Sequence, residues 1–546
     1  MTSLRWNVQV PGLGGIARLL LILSSLANAS FVAAQVAVTT YHYDNYRTGW
    51  NSKETALTPA SVGSSSFGLL ATVTLDDQVD AQPLLVPNVN ITAGSHPGKH
   101  DVVYVVTGND TVYAISADDV AGGIAGVVLL RQSLGTPVRW PLGCQQNGPN
   151  VGITSTPVID VTSGTLYVMA YTQEATTRAY QLHALDLGSL QDKIPPQSVT
   201  ASHTLTNGTK FSFDATYERQ RPGLLLANGN VYAGFGSFCD FAANLTRGWL
   251  LGWNATSLAP LSTNQVLDSQ GSSPNAFFMS SIWMSGYGLA ADDSGNVVFA
   301  TGNSDPSGTT YDGVSNIQES VVKVSSDLTT VMDLFTPSDE ATLDKQDGDF
   351  GSGGVMVLPD QPGMKPHLAV AAGKDGNMYL MNEDHLGGYS TAKNDVLGTY
   401  KIGGCLCGES YFVDPKDRAA RVVSSGARNV TVWKLQTSPS TALSRVSLSQ
   451  KIINGQGAGF FTSVSSNGLT NPIIWAISRP ASPLSKGLTL YAFNPESGGN
   501  TMSKLFQGPA GTWPYFPSHS NLVPVVANGK VYVASYKQLQ IFGLKP

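Results

Sequence analysis

The feature that most constrains the fold of this 546-residue chain is a sequence pattern, called the phrase here, that recurs along its whole length. A short apolar segment led in by Pro, Gly, Ser or Thr is followed by a turn and then by a stronger aromatic or β-branched segment. Such period-2 patterns between Gly, Asn and Asp turns predict antiparallel strands, and no stretch has a long amphipathic helical period. Copies that recur about every 50 to 70 residues are typical of repeat architectures. The phrase therefore predicts a ring of similar sheets.

Eight copies of the phrase can be counted, and their first segments begin at Gln82, Thr154, Arg221, Ser285, Gly351, Ser410, Thr462 and Ser520. A third strand follows in several of them. The predicted fold class is all-β, a single closed β-propeller of four-stranded blades with eight blades. A seven-bladed ring stays open as the alternative, with the weaker copy at Ser410 or at Thr462 forming an insertion.

The two ends of the chain predict how the ring closes. The last copy ends at Leu544 with no residues left for an outer strand, whereas the strand-like segment from Ser66 to Leu75 precedes the first copy. An open ring would leave unpaired strand edges exposed. We therefore expect the N-terminal strand to pair as the outermost strand of the last blade.

The first 34 residues have the order of a secretory signal peptide. Two arginines precede an apolar run at 19–23, and small residues follow, so cleavage is predicted after Ala29 or Ala34. Residues 35–546 then form the single propeller domain. No later segment has the run of about 20 apolar residues that a membrane span needs. We expect a secreted, extracellular monomer without a membrane span.

Composition and sequons agree with export. Only 13% of residues are charged and the net charge is -6, which excludes the basic surface of a nucleic-acid binder. An exported chain with several Asn-x-Ser/Thr sequons is predicted to be a glycoprotein. The sequons lie at Asn90, Asn109, Asn207, Asn244, Asn254 and Asn429.

The four cysteines predict disulfides, because their number is even and the chain is predicted to be exported. Three pairings are possible. In the predicted register Cys144 and Cys239 project from adjacent blades, whereas Cys405 and Cys407 lie across the ring, beyond the roughly 7 Å that a disulfide can bridge between Cα atoms. We predict a Cys144–Cys239 disulfide, with Cys405 and Cys407 either bonded to each other or present as free thiols. The latter two lack the paired Cys and His groups of a structural zinc site, so no metal site is predicted there.

Several third strands resemble a known repeat. Three segments look like degenerate copies of the repeat of pyrroloquinoline-quinone (PQQ) propellers, the quinoprotein alcohol dehydrogenase-like superfamily. They are TVYAISADD from Thr111, QLHALDLGS from Gln181 and LTLYAFNPESG from Leu488. The segments QRPGLLLANGNVY and VPVVANGKVYVASY are similar to a secreted branch of it. The resemblance implies a propeller fold and, as cofactors, PQQ and Ca²⁺.

The same resemblance implies where a site would lie. In the usual winding, the loop leading into each innermost strand and the turn between the second and third strands share one face, which carries the active sites of PQQ enzymes. On that face we expect catalytic roles for Asp349 and Glu409, as calcium ligand and proton acceptor. Cations suit a tricarboxylate such as PQQ, and the predicted cofactor-binding residues are Arg221, Lys374, Lys537 and His519.

Two functions follow as hypotheses. The first is an extracellular quinoprotein-like oxidoreductase acting on a small alcohol or sugar. The second is a cofactor-free secreted propeller that binds a protein or glycan partner. The chain has neither the adjacent Cys-Cys pair of the alcohol dehydrogenases of the family nor a Cys-x-x-Cys-His haem motif, which favours the second, whereas sugar-oxidising quinoproteins also lack the cysteine pair.

Overall fold

A computed structural model describes residues 35–545 except 119–124, 141–147, 239–244, 272–279, 305–309, 453–454, 458, 497–498, 517–518 and 520. The predicted signal peptide and its cleavage sites lie outside the described residues, as do Cys144, Cys239 and the sequon at Asn244. Within the described ranges, no helix is long and apolar enough to cross a membrane.

Eight small sheets follow one another along the chain, as the eight copies of the phrase predict. They are numbered here as blades 1 to 8, with the strands of each given from the innermost to the outermost. Blade 1 contains Leu84–Ile91, Gly98–Val106, Thr111–Ser116 and Val128–Ser133. Blade 2 contains Val158–Asp160, Thr165–Glu174, Thr177–Asp186 and Gln197–Ser198. Blade 3 contains Glu218–Gln220 with Leu225–Ala227, Asn230–Ser237, Trp249–Asn254 and Gln265–Val266. Blade 4 contains Ala290–Ala291, Val297–Ala300, Val321–Val324 and Val331–Thr336. Blade 5 contains Val355–Val357, Leu368–Ala372, Asn377–Asn382 and Gly398–Lys401. Blade 6 contains Ser410–Val413, Ala420–Ser424, Thr431–Gln436 and Ala442–Leu448. Blade 7 contains Thr462–Asn467, Thr470–Ile477, Gly487–Asn494 and Ser503–Thr512. Blade 8 contains Val525–Ala527, Lys530–Ser535, Gln538–Leu544 and Phe67–Thr74.

The seven-bladed alternative is wrong, because the copies at Ser410 and Thr462 each form a complete sheet. The predicted closure is confirmed. The strand Phe67–Thr74 pairs antiparallel with Gln538–Leu544, so the N-terminal strand supplies the outer edge of the last blade.

Three blades have a fifth strand that the repeat does not predict, and in blade 3 it is Glu218–Gln220, which pairs with Asn230–Ser237 beside Leu225–Ala227. Gly388–Tyr389 pairs in parallel with the outer strand of blade 4, Val331–Thr336. Trp50–Asn51 pairs in parallel with the inner strand of blade 7, Thr462–Asn467. Helices in the described residues are short. The α-helices there are Pro59–Val62 and Glu340–Lys345, the 3-10 turns are Met284–Gly286 and Phe350–Ser352, and a small hairpin joins Ser202–Thr204 to Lys210–Ser212.

The core lies between blades, and strand alternation explains why the middle strands are apolar on both faces. In blade 1, Val103 packs in one cluster with Ile541 of blade 8. The next residue, Tyr104, points to the other face of the sheet and packs in a cluster with Val168 of blade 2. Because each sheet is sandwiched between two neighbours, its second and third strands are buried on both sides and read as nearly continuous apolar runs.

Residues 36–54, called the central segment here, contact the inner strands of all eight blades. Val38 pairs with Leu85 of blade 1, and the amide nitrogens of Asn45 and Asn51 donate to carbonyl oxygens of Leu226 in blade 3 and Val526 in blade 8. Backbone N–H groups of the other five blades donate to its carbonyl oxygens, in the pairs Ile159–Thr39, Ala291–Asn45, Val357–Tyr46, Tyr411–Thr48 and Val464–Gly49.

The central segment also contacts turns at one end of the propeller. The Glu54 carboxylate accepts a hydrogen bond from the N–H of Gly529, in the turn after the inner strand of blade 8, and the Tyr46 hydroxyl bonds to Asp293 in the matching turn of blade 4. These turns define the lower face of the propeller. The opposite, upper face carries the lead-in loops and the turns between second and third strands.

Candidate functional site

The side chain of Trp283 lies half-buried on the upper face, in the loop leading into blade 4. The two residues after it, Met284 and Ser285, have φ angles of 40° and 52°, in the left-handed region that non-glycine residues rarely adopt. A hydrogen bond stabilises this conformation, because the Ser285 hydroxyl donates to the carbonyl oxygen of Ser352 at 2.6 Å. Backbone held in a sparsely populated region is often found at functional sites.

Two cations lie against the Trp283 ring. The guanidinium carbon of Arg221, in the loop between Glu218–Gln220 and Leu225–Ala227 of blade 3, is 5.4 Å from the ring centroid. The ammonium of Lys374, in the second-to-third turn of blade 5, is 5.7 Å from it. Both lie within the range of cation–π attraction. Loops of three blades thus bring a flat aromatic surface and two positive charges together.

Asp349 completes this group, which is called the Trp283 group below and consists of Trp283, Arg221, Lys374 and Asp349. The Lys374 ammonium is 2.6 Å from Oδ2 of Asp349, whose Oδ1 accepts from the backbone N–H of Asn303 at 3.1 Å. Burial raises the pKa of Asp349, and the charge of Lys374 opposes that rise. Burial alone would lower the pKa of Lys374, but the neighbouring aspartates outweigh it and raise that pKa.

A second acid lies behind Asp349. Glu319 is fully buried, and one of its carboxylate oxygens accepts from the N–H of Phe350. Burial raises the pKa of Glu319 well above its usual value, and the negative charge of Asp349 raises it further. Burial and the charge of Asp349 therefore both favour the protonated form of Glu319, whereas the charge of Lys374 favours the ionised form of Asp349.

Arg479 and His519 reach the same face from blades 7 and 8. Arg479 donates from Nη2 to the carbonyl oxygen of Leu406 at 2.6 Å and to Oδ1 of Asn521 at 3.1 Å. His519 is half-buried, and its pKa falls to about 3 because of burial and then because of the charges of Arg479, Arg221 and Lys374. His519 is therefore a neutral imidazole beside three cations.

Cys405 and Cys407 are bonded to each other, so of the two predicted states the disulfide is the one formed. Both sulfurs are enclosed in the loop leading into blade 6. Two hydrogen bonds fix the loop. The Ser352 hydroxyl donates to the carbonyl oxygen of Cys405 at 2.8 Å, and the Arg479 guanidinium donates to the carbonyl oxygen of Leu406. The predicted Cys144–Cys239 disulfide lies outside the described residues.

Glu409 follows this loop and is fully buried. Neither of its carboxylate oxygens has a hydrogen-bond partner in the described part of the chain, and burial raises its pKa to about 8. Its backbone oxygen lies 3.2 Å from the Tyr287 hydroxyl. The Tyr287 ring fills the channel so tightly that a Cβ at Gly354 or Gly408 would lie 1.9 or 2.0 Å from it. Glu409 is thus a neutral acid inside the channel at neutral pH.

The structure therefore brings together some of the predicted site residues and not others. Arg221, Lys374 and Asp349 meet at Trp283, and His519 lies within the influence of their charges. Lys537 is exposed, and its ammonium lies 5.4 Å from the Tyr536 ring.

No described contact joins Lys537 or Glu409 to the Trp283 group. Trp283 itself is absent from the sequence-based prediction, and the signal that could have found it is an aromatic residue within a Gly- and Ser-rich lead-in loop, IWMSGYG.

No protein-family model matches the sequence, and no curated protein matches it. Solved structures do match. Quinohemoprotein alcohol dehydrogenase from Comamonas testosteroni has a TM-score of 0.58 and 13% sequence identity, and the match covers 95% of this chain and 82% of that one. Sqt1 of Saccharomyces cerevisiae has a TM-score of 0.44 and 10% identity, over 90% of this chain and 100% of that one.

The first of these matches confirms the predicted fold. The chain is an eight-bladed propeller similar to that of a quinoprotein alcohol dehydrogenase. At 13% identity the likeness extends to the fold alone, and function has to come from the site.

Proposed function

We propose that this protein is an extracellular quinoprotein-like oxidoreductase that acts on a small alcohol or sugar on its upper face. The observation that carries the proposal is the Trp283 group, in which a flat ring, two cations and a carboxylate from three blades converge. A flat ring favours stacking by a planar ligand, cations favour its anionic groups, and a carboxylate can accept a proton from a hydroxyl.

These residues fit PQQ, a planar tricarboxylate. Trp283 would contact its ring system, and Arg221 and Lys374 would bind its carboxylates. When bound, PQQ supplies a two-electron acceptor for oxidation of an alcohol. The protein would orient the substrate hydroxyl toward Asp349, and Lys374 would hold that carboxylate ionised so that it can take the proton.

The residues do not fit a calcium ion. Calcium takes about six to eight oxygen ligands, several of them carboxylates. The Lys374 ammonium already lies against Asp349, and in the described part of the chain the one set of three His, Cys, Asp or Glu side chains with ligand atoms within 4.8 Å of one another is Cys405, Cys407 and Glu409. That set offers a disulfide and one acid, so we derive no step through calcium.

Addition of PQQ to the purified protein, with and without calcium, tests the proposal. We expect a quinone absorption band that shifts on binding and PQQ-dependent dye reduction with a panel of alcohols and sugars. Trp283→Ala should weaken PQQ binding, whereas Trp283→Phe retains a flat ring and should bind more tightly than Trp283→Ala. Asp349→Asn should bind PQQ but lose most of the dye reduction.

The misfit to calcium favours one alternative, a cofactor-free propeller that binds a protein or glycan on the same face. The absence of both a band shift and a rise in melting temperature with PQQ would overturn the oxidoreductase proposal. Binding of a glycan array or of a protein that depends on Trp283 would then support the alternative.

A further inference from the structure

Arg479 is a buried cation on the upper face with unused hydrogen-bond donors. Its side chain is 1% exposed, and only Nη2 has described partners, the carbonyl oxygen of Leu406 and Oδ1 of Asn521. Nε and Nη1 are enclosed, and neither has a hydrogen-bond partner among the residues that the structure describes. Arginine stays protonated in proteins, so a full charge with free N–H groups is held out of water.

The surroundings of Arg479 add positive charge. Burial lowers the pKa of Arg479 to about 9, and no described carboxylate acts to restore it. The pKa of Arg221 is also lowered to about 9, by burial and then by the charges of Arg219 and Arg479, with Asp80 opposing. Burial of an uncompensated charge is strongly unfavourable unless a counter-charge is bound.

We propose that Arg479, with Arg221 and His519 beside it, binds a monovalent anion, either the carboxylate of an organic ligand or a free halide ion. The anion accepts charge-assisted hydrogen bonds from the Nε and Nη1 donors of Arg479. In the first case the inference rests on the proposed function and names its substrate class, an alcohol that also carries a carboxylate, such as a hydroxy acid or a sugar acid.

The disulfide loop positions the guanidinium for this task. Leu406 lies between Cys405 and Cys407, and its carbonyl oxygen is 2.6 Å from Nη2 of Arg479. The other end of the loop is fixed by Ser352. A donor group held by a rigid loop loses little freedom when it binds a ligand, so the site is preorganised.

The test uses the mature protein without PQQ. Sodium formate and sodium bromide are titrated separately, and the melting temperature and the heat of binding are measured for the wild type, Arg479→Gln and Arg428→Gln. Arg428 is an exposed arginine of the same face and controls for ionic strength and surface charge. Circular dichroism checks that Arg479→Gln folds, and Arg479→Lys, which keeps the charge, gives a second variant.

We expect a saturable rise in melting temperature for the wild type and for Arg428→Gln. Affinity should be at least about tenfold weaker in Arg479→Gln, the loss that follows from removing one charged hydrogen bond. Tighter binding of formate than of bromide assigns the site to an organic carboxylate, and the reverse order assigns it to a halide.

A wild type without a saturable response, or an Arg479→Gln variant with the wild-type response, would overturn the anion site. Because PQQ is absent from this experiment, its result is separate from that of the proposed function. If PQQ fails to bind while the formate response still depends on Arg479, the anion site stands and the quinoprotein function fails.

Discussion

The Tyr287 hydroxyl donates a hydrogen bond to the backbone oxygen of Arg47 at 2.9 Å and so joins a lead-in loop of the upper face to the central segment. Arg47 is itself fully buried, and its guanidinium donates to the carbonyl oxygens of Leu289 and Tyr41. The central segment is therefore bonded to the same lead-in loop that carries Trp283.

Two truncations separate the roles of the central segment and the closing strand. A chain that begins at residue 55 loses the central segment but keeps Phe67–Thr74, and we expect a monomer with a lower free energy of unfolding. A chain that begins at residue 76 also exposes the edge of Gln538–Leu544, and we expect it to aggregate, because unpaired edges template further pairing. Size-exclusion chromatography with light scattering and urea unfolding measure both outcomes. A monomeric, cooperatively unfolding chain from residue 76 would contradict the role of the closing strand.

Replacement of Lys374 by Met should reveal the ion pair with Asp349. The pKa of Asp349 is already raised by burial, and loss of the opposing charge raises it further. We expect a loss of about 2 kcal/mol in the free energy of unfolding at pH 8, less than for a fully enclosed pair because Lys374 is partly exposed.

The sign of the pH effect follows from proton linkage. An acid whose pKa is raised on folding costs stability above its unfolded pKa, so the loss in Lys374→Met should shrink as the pH falls toward 4. Lys374→Arg keeps the charge and serves as the control. Urea unfolding at both pH values is the measurement, and an equal loss at pH 4 and pH 8 would show that the pair carries no charge interaction.

The sequence predicts the blades well because each blade is built from local signals. Period-2 apolar segments and Asn-Gly turns such as Asn228-Gly229 and Asn528-Gly529 specify hairpins without reference to distant residues. The central segment is different, since many of its hydrogen bonds go to strands far along the chain. The strand Trp50–Asn51 is too short to carry any periodicity, so its pairing with blade 7 could not be predicted.

The candidate site divides in the same way. Topology alone places Asp349, Lys374 and Arg221 on one face, and the structure brings them together. Topology does not determine how deeply a side chain is buried: Glu409 lies on a predicted loop but is fully buried. Trp283 depends on a left-handed backbone at the two residues that follow it, which no local pattern indicates.

The disulfides can be tested by peptide mapping under non-reducing conditions. We expect an internal disulfide in the peptide that contains Cys405 and Cys407, and a Cys144 peptide linked to a Cys239 peptide. The second link would close a loop of about 95 residues and contribute about 4 kcal/mol through the entropy of the unfolded chain. Cys239→Ser should therefore cost far more stability than the double change of Cys405 and Cys407 to Ser, which opens a loop of only two residues. A Cys144 peptide linked to Cys405 or Cys407 would contradict the pairing.

Glu409→Gln should change how stability depends on pH. Burial raises the pKa of Glu409 from 4.5 to about 8, so the folded protein keeps a proton that the unfolded chain releases. The contribution of this group is therefore fully present below pH 4.5 and is lost as the pH rises toward 8. Glutamine has nearly the same shape and no charge, so the free energy of unfolding of the variant should match that of the wild type near pH 4.5. At pH 8 it should exceed the wild-type value by several kcal/mol, at about 1.4 kcal/mol for each unit of pKa change. Urea unfolding at pH 4.5, 6.5 and 8 measures the difference, with the exposed Glu174→Gln as a control that should stay within about 0.5 kcal/mol of the wild type. A Glu409→Gln variant that is less stable than the wild type at pH 8 would mean that the carboxylate is ionised and paired inside the channel.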